Sequence, residues 1–255
     1  MANIVAIPAR IGSTRLKNKL LLDLNGKPVI QHVIERVQRC DNLDAIMVAT
    51  DSKKIAKIVE DVGAVVYISK EKHQSGSDRI CEMLRASELD LRDHIVNVQA
   101  DEVFIDPNLI NQIFKNMNLK LKVVTAAFPI TAEQSQDFNR VKVVTNVSGY
   151  AMYFSRYPIP YNTNNVKLME ETRQQQTYLQ HVGIYGYKYS ILNFFSNLKR
   201  PWVEQAEMLE QLRFLYSGVP VQVIIAGAGF NGIDTHEDLL EAHEILEKEK
   251  EDGRK

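Results

Sequence analysis

The stretch NIVAIPARIGSTRLKNK, residues 3–19, joins a short apolar run to a turn that carries Arg10, Arg15, Lys17 and Lys19. Valine, isoleucine and alanine fill the run instead of alternating with polar residues. That pattern predicts a strand buried on both faces, as in a parallel sheet covered by helices. Four cations directly after such a strand are costly to leave without partners, so the turn is suited to an anion.

The same rhythm continues outward. PVIQHVIERVQRC, KKIAKIVEDVG and DRICEMLRAS read as amphipathic helices between the strand-like runs AIMVAT, AVVYIS and HIVNVQA. The expected fold is α/β and doubly wound, with a mostly parallel sheet. Ligands in such sheets collect beyond the carboxyl ends of the strands, so the loops after Ile7, Ala49, Ile68 and Gln99 should share one crevice. After about residue 120 the runs VVTAAFPI, RVKVVTNVSGYAMYFSR and QHVGIYGYKY are strand-like and richer in turns, with NVSG as a hairpin tip. A smaller antiparallel β insertion is predicted there. The polar, aperiodic segment 161–178 is predicted to be a mobile surface loop. Helix returns at EQAEMLEQLRFLYSG, strand at VPVQVIIA, and a charged helix at HEDLLEAHEILEKEKEDGRK. The expected division is 1–120, 121–200 and 201–255, integrated as one domain.

The chain has 255 residues, 45% of them hydrophobic, which is enough for a sizeable core. Its formal net charge of −1 supplies no global field for nucleic acid, so an anion must be held by local clusters. Cys40 and Cys81 lack metal-ligand spacing and are expected to be reduced thiols. The opening residues lack a charged, apolar leader, and no apolar run reaches the roughly 20 residues of a membrane helix. The expectation is a soluble, cytoplasmic protein.

Neither of the common glycine-rich phosphate loops follows the first strand. Instead, Gly12 and Ser13 would turn backbone amides inward while Arg10, Arg15 and Lys19 reach three phosphate groups, the count of a triphosphate. In NVQADE, Asp101 and Glu102 follow a buried strand and should stand at the crevice rim. A carboxylate beside phosphates makes sense through a divalent cation, and Asp234 in NGIDTHED is the distant partner for Asp101 in holding magnesium. The other reading of Asp234 is a helix cap. KHQSGSDR, residues 72–79, puts Ser75, Gly76 and Asp78 ahead of Arg79 at a helix start, offering amides and donors to a base or phosphate, or simply a capped loop. Arg156, His181, Tyr185, Glu210 and Gln211 are polar members of mostly apolar elements. Together they suit a pocket for a polyhydroxylated acid; singly each reads as a satisfied core group.

IPARIGSTRL, HQSGSDR, VNVQADE, VKVV, GYAMYFSR, HVGIYGY, EMLEQLR and GIDTHED occur in the order found in the 3-deoxy-manno-octulosonate cytidylyltransferases. The chain resembles that family over nearly its whole length. The resemblance implies the nucleotide-diphospho-sugar transferase-like fold shared with CMP-sialate synthetases. It also implies coupling of CTP to the octulosonate (Kdo), with release of pyrophosphate, for lipopolysaccharide synthesis. It further implies that Pro8, Arg10, Ser13, Arg15 and Lys19 hold the triphosphate and that Thr50, Asp51, Ser75, Gly76 and Arg79 surround cytosine and ribose. Gln99, Arg156, His181, Tyr185, Glu210 and Gln211 would hold the sugar acid, and Asp101 and Asp234 magnesium. The first half, 1–120, would be the nucleotide-binding part, and 121–200 the part for sugar binding and homodimerisation. Arg10, Arg15, Lys19, Asp101 and Asp234 would be the catalytic set. Two stretches depart from the family pattern. RLKNKLL lacks a Pro-Gly pair before the lysine, and QADEVFI has Ala100 and Val103 where glycine and proline are usual. If position 100 needs a positive φ, alanine there is strained. These departures leave room for a modified octulosonate or a sialic-acid-like substrate. Retention of the fold by a non-catalytic sugar-nucleotide binding protein is the reading from another class.

Overall fold

β1 (Asn3–Ala9) lies inside the sheet, and its alternate residues enter two different cores. The computed structural model describes residues 1–13, 16–73, 75–117, 123–161, 178–227 and 232–251. Along the chain follow the two-residue strands β2 (Asp23–Leu24) and β3 (Lys27–Pro28), helix α1 (Val29–Val37), β4 (Ala45–Thr50), α2 (Lys53–Asp61), β5 (Val65–Ile68), α3 (Gly76–Arg85) and β6 (His94–Asn97). Next come α4 (Pro107–Asn116), β7 (Val123–Ile130), β8 (Lys142–Thr145), β9 (Ala151–Ser155), β10 (Tyr178–Lys188), α5 (Tyr189–Ser196), α6 (Trp202–Glu207), α7 (Leu212–Tyr216), β11 (Val221–Ile225) and α8 (His236–Glu251). Arg15 and residues 162–177, which include most of the predicted mobile loop, lie outside the described residues.

The main sheet runs β11-β7-β10-β6-β1-β4-β5. Every neighbouring pair along it is parallel except those made by β10, which runs against both β6 and β7. Val5, Ile7 and Ala9 pack with α1, α4 and α8 on one face, and Ile4 and Ala6 pack with α3, α5 and α7 on the other. This explains the unalternating strand: each fully buried Val or Ile side chain contributes about 1.5–3 kcal/mol relative to exposure, and both faces contribute.

The region from 121 to 200, read from sequence as an antiparallel unit, is divided by the structure. β7 and β10 are members of the main sheet, and among the described residues only the β8–β9 hairpin branches from it. The hairpin tip is the expected NVSG turn, where Asn146 Oδ1 accepts from the Ser148 and Tyr150 amides and Gly149 takes a φ of +77°. Helices α4 and α5 are additions to the pattern read from the sequence. Asp106 caps α4 through the Asn108 amide and Pro107 opens it, the usual place for proline. A side chain at Gly186 would collide with α4, since its Cβ would lie 2.3 Å from Ile113 Cγ2 and 2.6 Å from Met117 Sδ.

Two features of β10 shape the crevice. Its later part, Tyr185–Lys188, pairs with β6, whereas Leu179 and Gln180 pair with β8, so a gap opens along Val182–Ile184 beyond the end of β6. On its other side the register against β7 shifts between Val182 and Tyr185, an irregularity that re-aims side chains. Buried Thr125 holds this bend, its hydroxyl donating to the Ile184 carbonyl at 2.6 Å and lying 3.0 Å from His181 Nε2.

Candidate active site

The loops that follow β1, β4, β5 and β6 meet at one end of the sheet, as their strand polarity requires. Asp51, just after β4, ties three of them together. Its carboxylate accepts from the Ile11 amide at 2.8 Å and from Arg79 Nη2 at 3.1 Å, while Arg79 Nη1 donates to Ser69 at 3.0 Å. Arg79 is almost wholly buried, so it holds the basic turn through Asp51 as well as lining the crevice. Thr50 is fully buried, its hydroxyl accepting from the Ser52 amide at 3.2 Å, and it lines none of the four cavities described below.

The first cavity, of about 210 Å³, is lined by Pro8, Arg10, Ser13, Lys19 and Asp101, with Asp234 opposite. Asn18 sets the entry to Lys19 by adopting the left-handed region, φ 55° and ψ 31°, which asparagine tolerates better than most residues. The Lys19 ammonium donates to Asp101 Oδ2 and, at 2.8 Å, to Asp234 Oδ1. Burial works against the charge on Lys19, but the Asp101 and Asp234 carboxylates outweigh it and hold the ammonium above its ordinary value. Glu102, next in sequence, is pushed up to about 8, first by burial and then by the Asp101 charge.

Asp234 does not cap α8. That role falls to its neighbours: Thr235 Oγ1 accepts from the Asp238 amide at 3.2 Å, and Asp238 Oδ2 accepts from the amides of Asp234 and Thr235 at 2.9 and 2.8 Å. This reciprocal capping box leaves the Asp234 carboxylate directed at Lys19 and the crevice. Gly232 permits the approach of this loop, because a Cβ there would stand 3.1 Å from Asp101 Cγ. The strain conditional on a positive φ at position 100 does not arise: Ala100 is not among the described residues with positive φ, and both it and Val103 are buried.

A second cavity, about 230 Å³, adjoins the first through Pro8 and Arg10 and continues to Ser75, Gly76 and Arg79. Ser75 caps α3 by accepting from the Asp78 amide at 3.1 Å, and Gly76 lets the helix start against Pro8, 3.1 Å from where its Cβ would stand. His73 lies against Glu82 at 2.6 Å. Gln99 reaches both cavities and also a third, about 330 Å³, lined by Arg156, His181, Tyr185, Glu210 and Gln211. There Arg156 is anchored by Nε to the Glu207 carbonyl at 2.8 Å and by Nη1 to the Phe138 carbonyl at 3.3 Å. Burial drives the His181 imidazole down to about 3 and raises the Tyr185 phenol and the Glu210 carboxyl. His181 is therefore neutral at pH 7. This chamber combines polar hydrogen-bonding groups with the Arg156 guanidinium and the Glu210 carboxyl, whereas the first carries the ionic cluster. A fourth cavity runs from Gln99 past Asp101 and Asp234 to Asp238.

The structure thus brings together Arg10, Ser13, Lys19, Asp101 and Asp234, places Gln99 at the junction, and groups the five polar residues of the third cavity. It also adds Ser77, Asn97 and Tyr187 to that cavity's lining. A signal for two of them lies in the period of two along a strand, since Asn97 precedes Gln99 and Tyr187 follows Tyr185 by two residues.

Residues 4–224 match the family model described as Cytidylyltransferase. The 3-deoxy-manno-octulosonate cytidylyltransferase of Nitrosococcus oceani is 39% identical over 252 residues, covering 96% of this chain and 97% of its own. The structure of a CMP:2-keto-3-deoxy-manno-octonic acid synthetase complexed with CTP superposes with a TM-score of 0.88 at 35% identity, covering 98% of this chain and all of that one. A 4-diphosphocytidyl-2C-methyl-D-erythritol synthase from Anaerococcus prevotii, with a TM-score of 0.62 at 16% identity over 96% of this chain and 99% of its own, shares the fold alone. The basic turn, the paired aspartates and these likenesses lead to one conclusion: the chain belongs to the cytidylyltransferase family.

Proposed function

We propose that this protein couples CTP to 3-deoxy-manno-octulosonate, forming CMP-Kdo and pyrophosphate for lipopolysaccharide synthesis in the cytoplasm. The observation that carries this reading is the convergence of Asp101 and Asp234, from distant parts of the chain, on one ammonium at the wall of the cavity shared with Arg10. The identity to the Nitrosococcus oceani enzyme and the likeness to the CTP-complexed synthetase support the nucleotide and the sugar acid. No helix among the described residues is long and apolar enough to cross a membrane.

The lysine ammonium drawn between the two aspartates supports a place for magnesium there. Among the described residues no group of three His, Cys, Asp or Glu stands ready for a metal, so Asp101 and Asp234 would hold the ion with substrate oxygens and water completing its shell. Bound there, magnesium would neutralise charge at the α-phosphate and polarise the attacking hydroxyl. Arg10, Arg15 and Lys19 bind the triphosphate and stabilise the charge that builds on pyrophosphate. Arg79 and Asp51 fix the turn, with Ser75 and Gly76 on the nucleoside side. Gln99, Arg156, His181, Tyr185, Glu210 and Gln211 orient the sugar acid so that its anomeric hydroxyl meets the α-phosphorus in line.

A homodimer is part of the proposal. Its support is β9, which among the described residues pairs with β8 alone in the sheet and exposes Met152 and Tyr153, with Tyr157 and Tyr161 exposed beyond it. An open strand edge with apolar side chains is suited to a second copy.

The test is pyrophosphate release from CTP and magnesium with a panel of sugar acids. The octulosonate is expected to give the highest kcat/KM. Preference for a modified octulosonate or a sialic acid would move the specificity. Nucleotide binding without pyrophosphate release would make the protein a binding module.

A further inference from the structure

Among the described residues, four that are not glycine adopt a positive φ, and three of them, Asn18, Asn25 and Asn42, are asparagine, which tolerates that region better than most. The fourth is Met208, at φ 55° and ψ 45°. It ends α6, its amide donating to the Glu204 carbonyl, in a place where glycine is usual because a Cβ is strained there. Both neighbours hold it in that conformation. The Glu207 carboxylate accepts from the Ser155 hydroxyl at 2.7 Å and from the Arg156 amide at 2.9 Å, and Leu209 is buried in the core that also contains α3 and α5. The methionine side chain itself takes no part in this anchoring: Met208 is 76% exposed and belongs to neither core. Burial in the fold therefore does not offset its strain.

Met208 lines the third cavity, between Glu207, whose carbonyl anchors Arg156, and the cavity residues Glu210 and Gln211. Of the apolar residues in that lining, Leu209 and Phe214 are already covered by the core, whereas Met208 stays in solvent. We infer that Met208 is a binding residue of the sugar-acid subsite, its thioether side chain covering the C–H side of the bound octulosonate at the mouth of the third cavity. This rests on the reading of the protein as a sugar-acid cytidylyltransferase. A polyhydroxylated acid presents its hydroxyls and carboxylate to polar groups such as Arg156 and Gln211, while its C–H edges need an apolar neighbour. Methionine, unbranched and polarizable, adapts to such an irregular surface. The strained conformation is kept because the side chain is buried by the ligand and not by the free fold.

Met208→Ala deletes the thioether and keeps the Cβ, so the backbone strain is unchanged. It should raise KM for the octulosonate about 10-fold, with KM for CTP and Tm unchanged. The turnover number should change less than KM, because the contact is made in the ground state and the transition state alike. Met208→Gly also relieves the strain, and should combine the same weaker use of the acid with an unchanged or higher Tm. Met208→Leu keeps an apolar side chain of similar size and should hold KM for the octulosonate within about twofold of the wild type. Stability and acid binding thus move apart, which a role at the helix end alone would not produce.

Unchanged KM for the octulosonate in Met208→Ala and Met208→Gly would overturn the assignment and leave Met208 a strained helix end. So would a lower Tm with equal losses for CTP and the octulosonate, since the side chain would then support the fold. If the wild-type protein releases pyrophosphate with no sugar acid, the proposed reaction fails separately, and the cover is judged by calorimetric titration with the octulosonate. Binding about 10-fold weaker in Met208→Ala supports it; equal affinity, or no binding to either protein, sinks it.

Discussion

Replacing Lys19 by methionine should make the nucleotide-free protein a better binder of divalent metal. In the structure the Lys19 ammonium already occupies the position between Asp101 and Asp234, so a metal must displace it before both carboxylates are available. Hydrogen bonds to ionised groups contribute about 1.5–3 kcal/mol each. The contact with Asp234 belongs at the low end, because that side chain is 39% exposed and partly screened. Releasing both removes a competing interaction of about 3 kcal/mol, and each 1.4 kcal/mol is tenfold, so Mn2+ should bind about 100-fold tighter. Methionine keeps the apolar stem of the lysine, which limits the loss of packing. The assay is titration of free protein with Mn2+, read by the electron paramagnetic resonance signal of the unbound ion. CTP affinity should fall in the same variant, because a triphosphate contact is lost. Adding Asp234→Asn should abolish the gain in metal affinity. Equal or weaker Mn2+ binding by a folded Lys19→Met protein would refute the idea that lysine and metal compete for one place.

Gly186→Ala should destabilise the fold by about 1–3 kcal/mol through overpacking against Ile113 and Met117, read as a lower denaturation midpoint; an unchanged midpoint would mean that α4 yields freely. For His181 burial lowers the folded pKa to about 3, below the ordinary 6.5 of an imidazole, so between those values the unfolded chain binds the extra proton. Stability is therefore complete above about pH 6.5 and declines as pH falls, by at most about 1.4 kcal/mol per unit. His181→Asn should flatten that acid limb in a plot of Tm against pH, and an identical limb would refute the assignment. Asp238→Ala removes the acceptor for the Asp234 and Thr235 amides. It should cost about 1 kcal/mol of stability and lower kcat more than it changes KM for CTP; a loss confined to stability would separate the cap from the site.

The sheet-building part of the chain was legible because its signals are local. Solid runs of valine and isoleucine mark strands whose two faces meet α1, α4 and α8 on one side and α3, α5 and α7 on the other. Helix α4 was equally open to reading in DPNLINQIFKN, where Asp106 caps and Pro107 starts the helix. The position of β10 was not legible. Its glycine-rich pattern identifies a strand but does not say that the strand enters the main sheet reversed, between β6 and β7, a choice made by pairing across distant parts of the chain.

For the site, residue types alone marked the basic turn with Arg10 and Lys19, the carboxylates Asp101 and Asp234, and the polar residues of the third cavity. They left Asp234 divided between ligand and cap, since both readings use the same letters. Only the folded chain separates them, because Thr235 and Asp238 satisfy the helix end and the Asp234 carboxylate meets Lys19 instead. The placing of Asn97 and Tyr187 in the lining of the third cavity is likewise a product of register, in which two strands of opposite direction set an amide and a phenol on one face. Periodicity and composition act over a few residues and determine elements; charge pairing and the satisfaction of buried polar atoms depend on distances through space, which only tertiary packing decides.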